Sequence, residues 1–404
     1  MTTSARALPG QLEHLAGRII DVDSHEMMPL QQWESVFGPD AAPLAQAWRA
    51  NGVTIDEDIN HPNVPDFAGD VAEIDDQIMR VKGSRAPGAV SPERRLEVMD
   101  VMGIERQLMF PGSIGLYGTT LLMNAHDPEF FPTITSDRAG IARRCIARYQ
   151  DWLVDFAGVS DRIRPVAPIA EETVPEVIDT ARRLIERGIR AIWLPAGLPV
   201  GGVSPAHSSL DPFWAMCAEA DCTVTLHIGG EGQVLASTAW NQAEAFEGFR
   251  SLGEFSVDPY SLSTVHLSFQ NFVTAVVLGG VFVRHPRLRF GVIETGAHWV
   301  GPLMEVMDLW HGSMGHFNTN PNRLPELPST YVKSNVRVSF FPFEPADVYL
   351  DRHDLGDVLC FATDYPHIEG GKDIYKTLTG KLDRFGPAFT RRFYRDNGSW
   401  LLPD

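Results

Sequence analysis

The chain has 404 residues, 44% of them apolar and 21% charged, which is ordinary globular usage and excludes disorder for the bulk of it. Lys plus Arg is 34 against 52 Asp plus Glu, and the net charge of −18 argues against nucleic acid or an anionic membrane surface as a partner. This length suits one large domain with insertions, or two smaller ones.

The opening residues, MTTSARALPGQLEHLAGR, lack the apolar core of a signal peptide, so 1–16 is expected to be a leader ahead of a single domain over 17–404. Eight strand-like apolar runs then follow in order. They are 17–23 (GRIIDVD), 106–110 (RQLMF), 163–169 (IRPVAPI), 189–194 (IRAIWL), 223–228 (TVTLHI), 288–294 (LRFGVIE), 336–341 (VRVSFF) and 358–363 (VLCFAT). Near-continuous apolar runs suit strands covered on both faces, as in parallel sheets. Helical periodicity separates them over 137–156, 173–187, 212–220, 263–283 and 298–311. The alternation predicts an α/β fold, a (β/α)8 TIM barrel. The largest insertion, about 26–105, carries turn signals at Gly38-Pro39, His61-Pro62 and Pro87-Gly88 and is expected to cap the mouth. Smaller mouth insertions are expected over 229–262 and 312–333. No apolar run approaches the ~20 residues of a bilayer span. The longest, 273–283, is broken by Thr274 and Gly279-Gly280 and reads as buried helix. Cys145, Cys217, Cys222 and Cys360 show no CxxC spacing and read as small buried apolar residues of a cytoplasmic protein.

The strand ends carry the chemistry. Asp23 and His25 lie two apart, on one face of an extended chain, at the end of the first run. His227 ends the fifth and Asp364 follows the eighth. All three ends open at one barrel mouth, so two carboxylates and two imidazoles converge as a four-ligand set for a divalent ion. Taken singly, each residue reads as a helix cap or a structural hydrogen bond; it is their shared location that points to a metal. Mixed Asp/His ligation suits Zn, Fe or Mn alike. Glu294, at the sixth strand end, has three readings: a further ligand to a second ion together with His298, a general acid or base, or a salt bridge to a buried Arg. His298 reads as a site residue one helical turn on, or as a histidine at a helix N-terminus. His367 is expected to order the Asp364 loop, Asp21 to serve structure, and Glu26 to point away. His266 could face the mouth. Trp33, Tyr117, Trp240, Trp299, Phe340, Phe341, Phe343 and Tyr365 lie in mouth segments and suggest a bulky apolar substrate. Arg85, Arg94 and Arg95 offer local positive charge.

These motifs resemble the aminocarboxymuconate-semialdehyde decarboxylase-like branch of the amidohydrolase superfamily. The resemblance rests on DVDSHEMMP (21–29), RLEVMDVMGIERQLMFPG (95–112), YQDWLVDF (149–156), GIRAIWLPA (188–196), DPFWAMCAEADCTVTLHIGG (211–230), RHPRLRFGVIETGAHW (284–299) and FATDYPHIEGG (361–371). It implies a barrel with a catalytic divalent metal, one ion in the common state, and commonly a homodimer. The first-strand pair takes its carboxylate-x-His form in Asp23-Ser24-His25; the fifth-strand His falls on His227 and the eighth-strand Asp on Asp364. Many members carry a catalytic His at the sixth strand end, where this chain has Glu294. The expected function is therefore a metal-dependent hydrolase of an ester, thioester or amide of a bulky, largely apolar carboxylic acid. Asp364 is its proton acceptor, and Glu294 and His298 assist. The runner-up is non-oxidative decarboxylation, or hydration, of an aromatic or unsaturated acid. A binding protein without catalysis fits less well, since the four ligands are present.

Overall fold

The computed structural model describes residues 8–51, 69–75, 77–232, 238–248, 258–314 and 324–403. Parts of the three expected insertions, the His61-Pro62 turn among them, and residues 1–7 of the leader lie outside the described residues. Seven parallel strands follow chain order: β1 (Ile19–Asp21), β2 (Ile104–Met109), β3 (Ile163–Pro168), β4 (Ala191–Trp193), β5 (Thr223–His227), β6 (Phe290–Ile293) and β7 (Val336–Val338). Nearly every strand residue is buried, which explains the unbroken apolar runs.

The eighth run closes the sheet on itself without forming a continuous strand. On one side Val338 N donates to Val358 O and Cys360 N to Val338 O, both at 2.9 Å. On the other, Val22 N donates to Phe361 O (3.1 Å) and Asp364 N to Asp23 O (2.9 Å). Between these, the Asp21 carboxylate accepts from Thr363 N and takes the place of a ladder carbonyl. The result is a (β/α)8 barrel. Its register aligns the strand ends, with His227 opposite Ile293, His25 bridged to Phe110, and Ser24 bridged to Tyr365.

The barrel helices match the periodicity closely, including Arg138–Ala157, Val174–Glu186, Asp211–Glu219 and Val300–Met314. Thr173 and Glu176 form a reciprocal cap that starts the second of these. The 263–283 pattern divides into Pro259–Thr264, His266–Leu278 and Val281–Arg284. Its break falls at Gly280, whose φ of 72° is open to glycine at little cost. One expectation needs correcting here. Pro259–Leu278 spans 20 residues at a mean hydropathy of 1.2, enough to cross a membrane by length and composition. Its interruptions are uncharged Ser, Thr, His, Gln and Asn, which a count of unbroken apolar residues had rejected. The stretch is two helices, and the second buries Phe269, Phe272, Val273, Val276 and Val277 in the core.

The segment after β1 packs in two places. Its helices Trp33–Phe37 and Ala42–Asn51 set Trp33 and Trp48 against Tyr117, at 5.6 and 4.3 Å between ring centroids. Its later part lies against the mouth, where Gly83 N donates to Pro366 O (2.9 Å) and Tyr365 Oη to Pro87 O (2.7 Å). Leu8, Leu12 and Leu15 of the leader are buried in the same core as the barrel.

Candidate metal centre

The site begins with a carboxylate that does not face it. Asp21, fully buried, accepts from Gln107 Nε2 (2.6 Å) on β2 and from Thr363 N (2.8 Å) and Oγ1 (2.6 Å) on the eighth run. Burial lifts its pKa to about 7 against the pull of those hydrogen bonds. Three neighbouring chain segments are thereby fixed, and Asp23 and His25 leave β1 from a rigid base. Glu26 turns away and is also buried, taking hydrogen bonds from Met28 N (2.9 Å), Gly112 N (3.0 Å) and Ser113 Oγ (2.6 Å).

Four side chains converge where Asp23 and His25 end: Asp23, His25, His227 and Glu294. A second group, His25, Glu294, Asp364 and His367, shares two members with the first. His25 Nε2 lies 3.4 Å from Asp23 Oδ1, 3.4 Å from Asp364 Oδ1 and 3.8 Å from Glu294 Oε2. His227 Nε2 lies 3.1 Å from Glu294 Oε2 and 3.5 Å from Asp23 Oδ1. Each imidazole offers its other nitrogen, Nδ1, to a backbone carbonyl: His25 to Pro111 O (3.3 Å), His227 to Ile228 O (2.8 Å). That bond fixes the tautomer and turns the Nε2 lone pair inward, as metal-binding histidines require.

The donors fit a divalent cation. Asp23 Oδ1, His25 Nε2, His227 Nε2 and both oxygens of Asp364 are buried without a hydrogen bond. Buried polar atoms are rarely left so, and an ion among them satisfies all at once. Burial and the nearby His367 lower the pKa of His25, yet the Asp23 and Asp364 carboxylates, each 3.4 Å from its Nε2, outweigh both and raise it to about 9. Burial likewise opposes ionisation of Asp364, but His25 and His367 hold its carboxyl well below the usual range. The cluster thus attracts positive charge strongly, and a divalent ion supplies it where a proton otherwise would.

Glu294 and Asp364 share a further property. Their φ angles are +57° and +50°, in the left-handed region that residues with a side chain seldom adopt. Ser339 Oγ accepts from Glu294 N at 2.8 Å and secures one of these turns. Asp364 is secured through its own N–H on Asp23 O and through His367 N on Asp364 O (2.8 Å).

Other expected residues fall elsewhere. His298 lies outside both groups, half-exposed, with its Nδ1 3.8 Å from a Glu344 oxygen and its ring 4.7 Å from that of His266. His367 comes closer than an ordering role needs: its ring stacks on His25 at 3.6 Å and its Nδ1 lies 3.3 Å from Asp364 Oδ1. Of the aromatics, Trp33, Tyr117, Trp299, Phe340 and Tyr365 are buried, while Trp240 and Phe343 are exposed. Phe110, not singled out in the sequence, lies nearest the ligands, its ring 4.2 Å from His227. Arg85 is exposed, and Arg94 pairs with Asp70 at 2.9 Å. Arg95 is fully buried and donates to Gly88 O (2.7 Å), Tyr365 O (3.4 Å) and His25 O, so it holds the backbone of two ligand-bearing loops. Nothing in its sequence context marks it, since its neighbour Arg94 is equally basic and faces out.

The geometry has counterparts among known proteins. Solved structures with the same fold include an amidohydrolase from Mycobacterium avium subsp. paratuberculosis K-10, at 20% identity and a TM-score of 0.62 over 95% of this chain and 99% of that one. 5-Carboxyvanillate decarboxylase from Sphingomonas paucimobilis matches at 16% identity and a TM-score of 0.56, covering 95% and 98%. A dihydroxybenzoic acid decarboxylase from Polaromonas sp. JS666, solved with manganese and 2-nitroresorcinol, matches at 14% identity and 0.55, covering 95% and 96%. Comparison with curated proteins returns no match. The amidohydrolase family profile matches residues 132–398, which takes in β3 to β7, His227, Glu294 and Asp364. With that span well over half of its length, this chain belongs to the amidohydrolase family and is one of its metal-dependent enzymes.

Proposed function

We propose that the protein removes the carboxylate of a compact aromatic acid by metal-dependent, non-oxidative decarboxylation. The observation behind this reading is likeness over nearly the whole chain to enzymes of that class, two of which act on substituted benzoic acids. The aromatic floor of the site is in keeping with it, with Phe110 beside His227 and Trp193 5.9 Å from the same ring. Asp23, His25, His227 and Glu294 would hold the ion, with Asp364 3.4 Å from the same His25 nitrogen. Manganese is the first choice, since it is bound in such neighbours and three carboxylates favour a hard or borderline ion. When bound, the metal holds substrate oxygens and offsets negative charge as it develops.

The proton must come from the chain. Asp364 Oδ1 lies 3.4 Å from His25 Nε2 and 3.3 Å from His367 Nδ1, within reach to relay a proton. A proton stored on His367 is handed through Asp364 to the ring carbon as the carbon–carboxylate bond breaks and CO2 leaves. The 83–95 segment is docked on the Asp364–His367 loop by Gly83 N on Pro366 O and by Tyr365 Oη on Pro87 O, and the buried position of the cluster limits competing water.

One observation favours a second reading, hydrolysis of an ester, thioester or amide. Glu294 stands where many family members carry His, and a carboxylate 3.1 Å from His227 suits orienting water. Asp364 then accepts the water's proton instead. Manganese-loaded enzyme incubated in 18O-labelled water with 5-carboxyvanillate, 2,6-dihydroxybenzoate and a series of aryl esters separates the two. CO2 release with a solvent proton on carbon supports decarboxylation; 18O in a product carboxylate, with no CO2, overturns it in favour of hydrolysis.

A further inference from the structure

Lys82 lies on the turn just before Gly83–Arg85, where Gly83 N donates to Pro366 O and docks this segment on the Asp364–His367 loop. Its Nζ is buried and makes no hydrogen bond or ion pair with any described residue. Lysine rarely behaves this way: its flexible stem normally carries the ammonium to water or to a carboxylate. Asp364 and Glu369 lie near enough for their charges to favour the ammonium, but neither is in contact with it. Burial works against its charge, with a smaller push from Lys372, and lowers its pKa to about 8; in its charged form the ammonium lacks a partner in contact.

We propose that Lys82 is an anion-binding residue of this site, which receives a negatively charged group of the substrate beside the metal cluster. The inference rests on the proposed action on an aromatic acid and adds to it the group that anchors such a substrate. The chain's acidic balance is in keeping with such a residue. A net charge of −18 and three carboxylates at the centre repel an anionic substrate until local positive charge offsets them. The ion supplies part of that charge, and among the described residues Lys82 is a buried ammonium beside this loop with no carboxylate in contact. Arg94 and Arg95, its basic neighbours in sequence, are already committed to Asp70 and to backbone carbonyls.

The test is binding, measured by titration calorimetry on the manganese-loaded full chain with two probes of equal shape, benzoate and neutral benzamide. Lys82→Met should weaken benzoate about tenfold or more and leave benzamide unchanged, because one charge-assisted hydrogen bond is lost. Lys82→Gln, which keeps length and polarity, should behave like Met, and Lys82→Arg should recover most of the affinity. Equal affinity for benzoate in wild type and Lys82→Gln would overturn the proposal, as would a parallel loss of both probes or no benzoate binding by wild type. Metal content and far-UV circular dichroism of each variant show whether the cluster and fold are intact. Benzoate binding that depends on Lys82 in a protein that releases no CO2 from any aromatic acid would refute the decarboxylase reading and leave this one standing. CO2 release with benzoate binding indifferent to Lys82 would do the opposite.

Discussion

His25 and His227 commit one ring nitrogen to a carbonyl and keep the other for the cluster, so removing either should empty the centre without unfolding the barrel. His227→Ala is expected to lower metal affinity at least about 100-fold, read by elemental analysis after dialysis, with an unchanged far-UV spectrum. Full occupancy in that variant would remove His227 from the ligand set. Glu294 divides the possible metal counts. It belongs to both overlapping groups, so Glu294→Gln should lower the ratio of metal to protein if it holds an ion. An unchanged ratio with lost turnover assigns it to proton transfer. At this scale the sequence was most informative where a strand end fixes direction. The convergence of Asp23, His25, His227 and Asp364 could be expected from the strand ends, with Glu294 beside them in a role left open. Lys82, Arg95 and the close approach of His367 could not, because they depend on how an irregular segment folds back over the mouth, and no period in the sequence encodes that.

Between elements, the contacts that matter most join pieces far apart in sequence. Arg95, in the helix Pro92–Met102, ties Gly88, His25 and Tyr365 together through buried carbonyls. Arg95→Met keeps the stem and strands those carbonyls; it should cost about 3 kcal/mol of stability, visible as a lower urea midpoint. A mere surface role for Arg95 would leave the midpoint unmoved. The helix His266–Leu278 meets the loop after β6 through its first residue. Burial, reinforced by the neighbouring His298, lowers His266 to about 4 from an ordinary value of 6.5. The group stays neutral in the fold while the unfolded chain takes up a proton. Its contribution is therefore complete above pH 6.5 and is lost as pH falls from there to about 4. His266→Gln should flatten the loss of stability between pH 7 and 5; an identical slope in both proteins would rule this contact out as its source. The positions of helices and strands were readable here because burial on both faces leaves an apolar record, but the first, fourth and seventh strands, at 19–21, 191–193 and 336–338, are shorter than their apolar runs. The eighth strand was overextended, since a side chain, Asp21, does part of the work of its ladder.

At the scale of the whole molecule, the barrel mouth gathers three buried carboxylates. Asp23, Glu294 and Asp364 crowd together among imidazoles, and an ion held by them would bind the folded chain alone. Removing it with a chelator should lower the unfolding temperature, and adding manganese should restore it in a concentration-dependent way. A chelated protein that melts where the loaded one does would argue against a structural contribution of the centre. The four cysteines are buried, and burial pushes the thiols of Cys145 and Cys360 up to about 12. A thiol reagent should label none of them in the native protein and all four after unfolding. Architecture was readable from the sequence at this scale because eight alternations admit few closed arrangements. The site's reaction was not, because one barrel mouth serves many chemistries.

The left-handed backbone at Glu294 and Asp364 puts activity and durability in competition at the same two positions. A side chain there costs roughly 1–3 kcal/mol, a penalty glycine escapes, offset in part by the greater freedom glycine has when unfolded. Glu294→Gly should therefore give an inert protein whose metal-free form outlasts the native one on heating. A breeding experiment that selected only for heat resistance would discard these carboxylates first. A carboxylate that serves the centre from either position therefore does so at the expense of the scaffold that holds it.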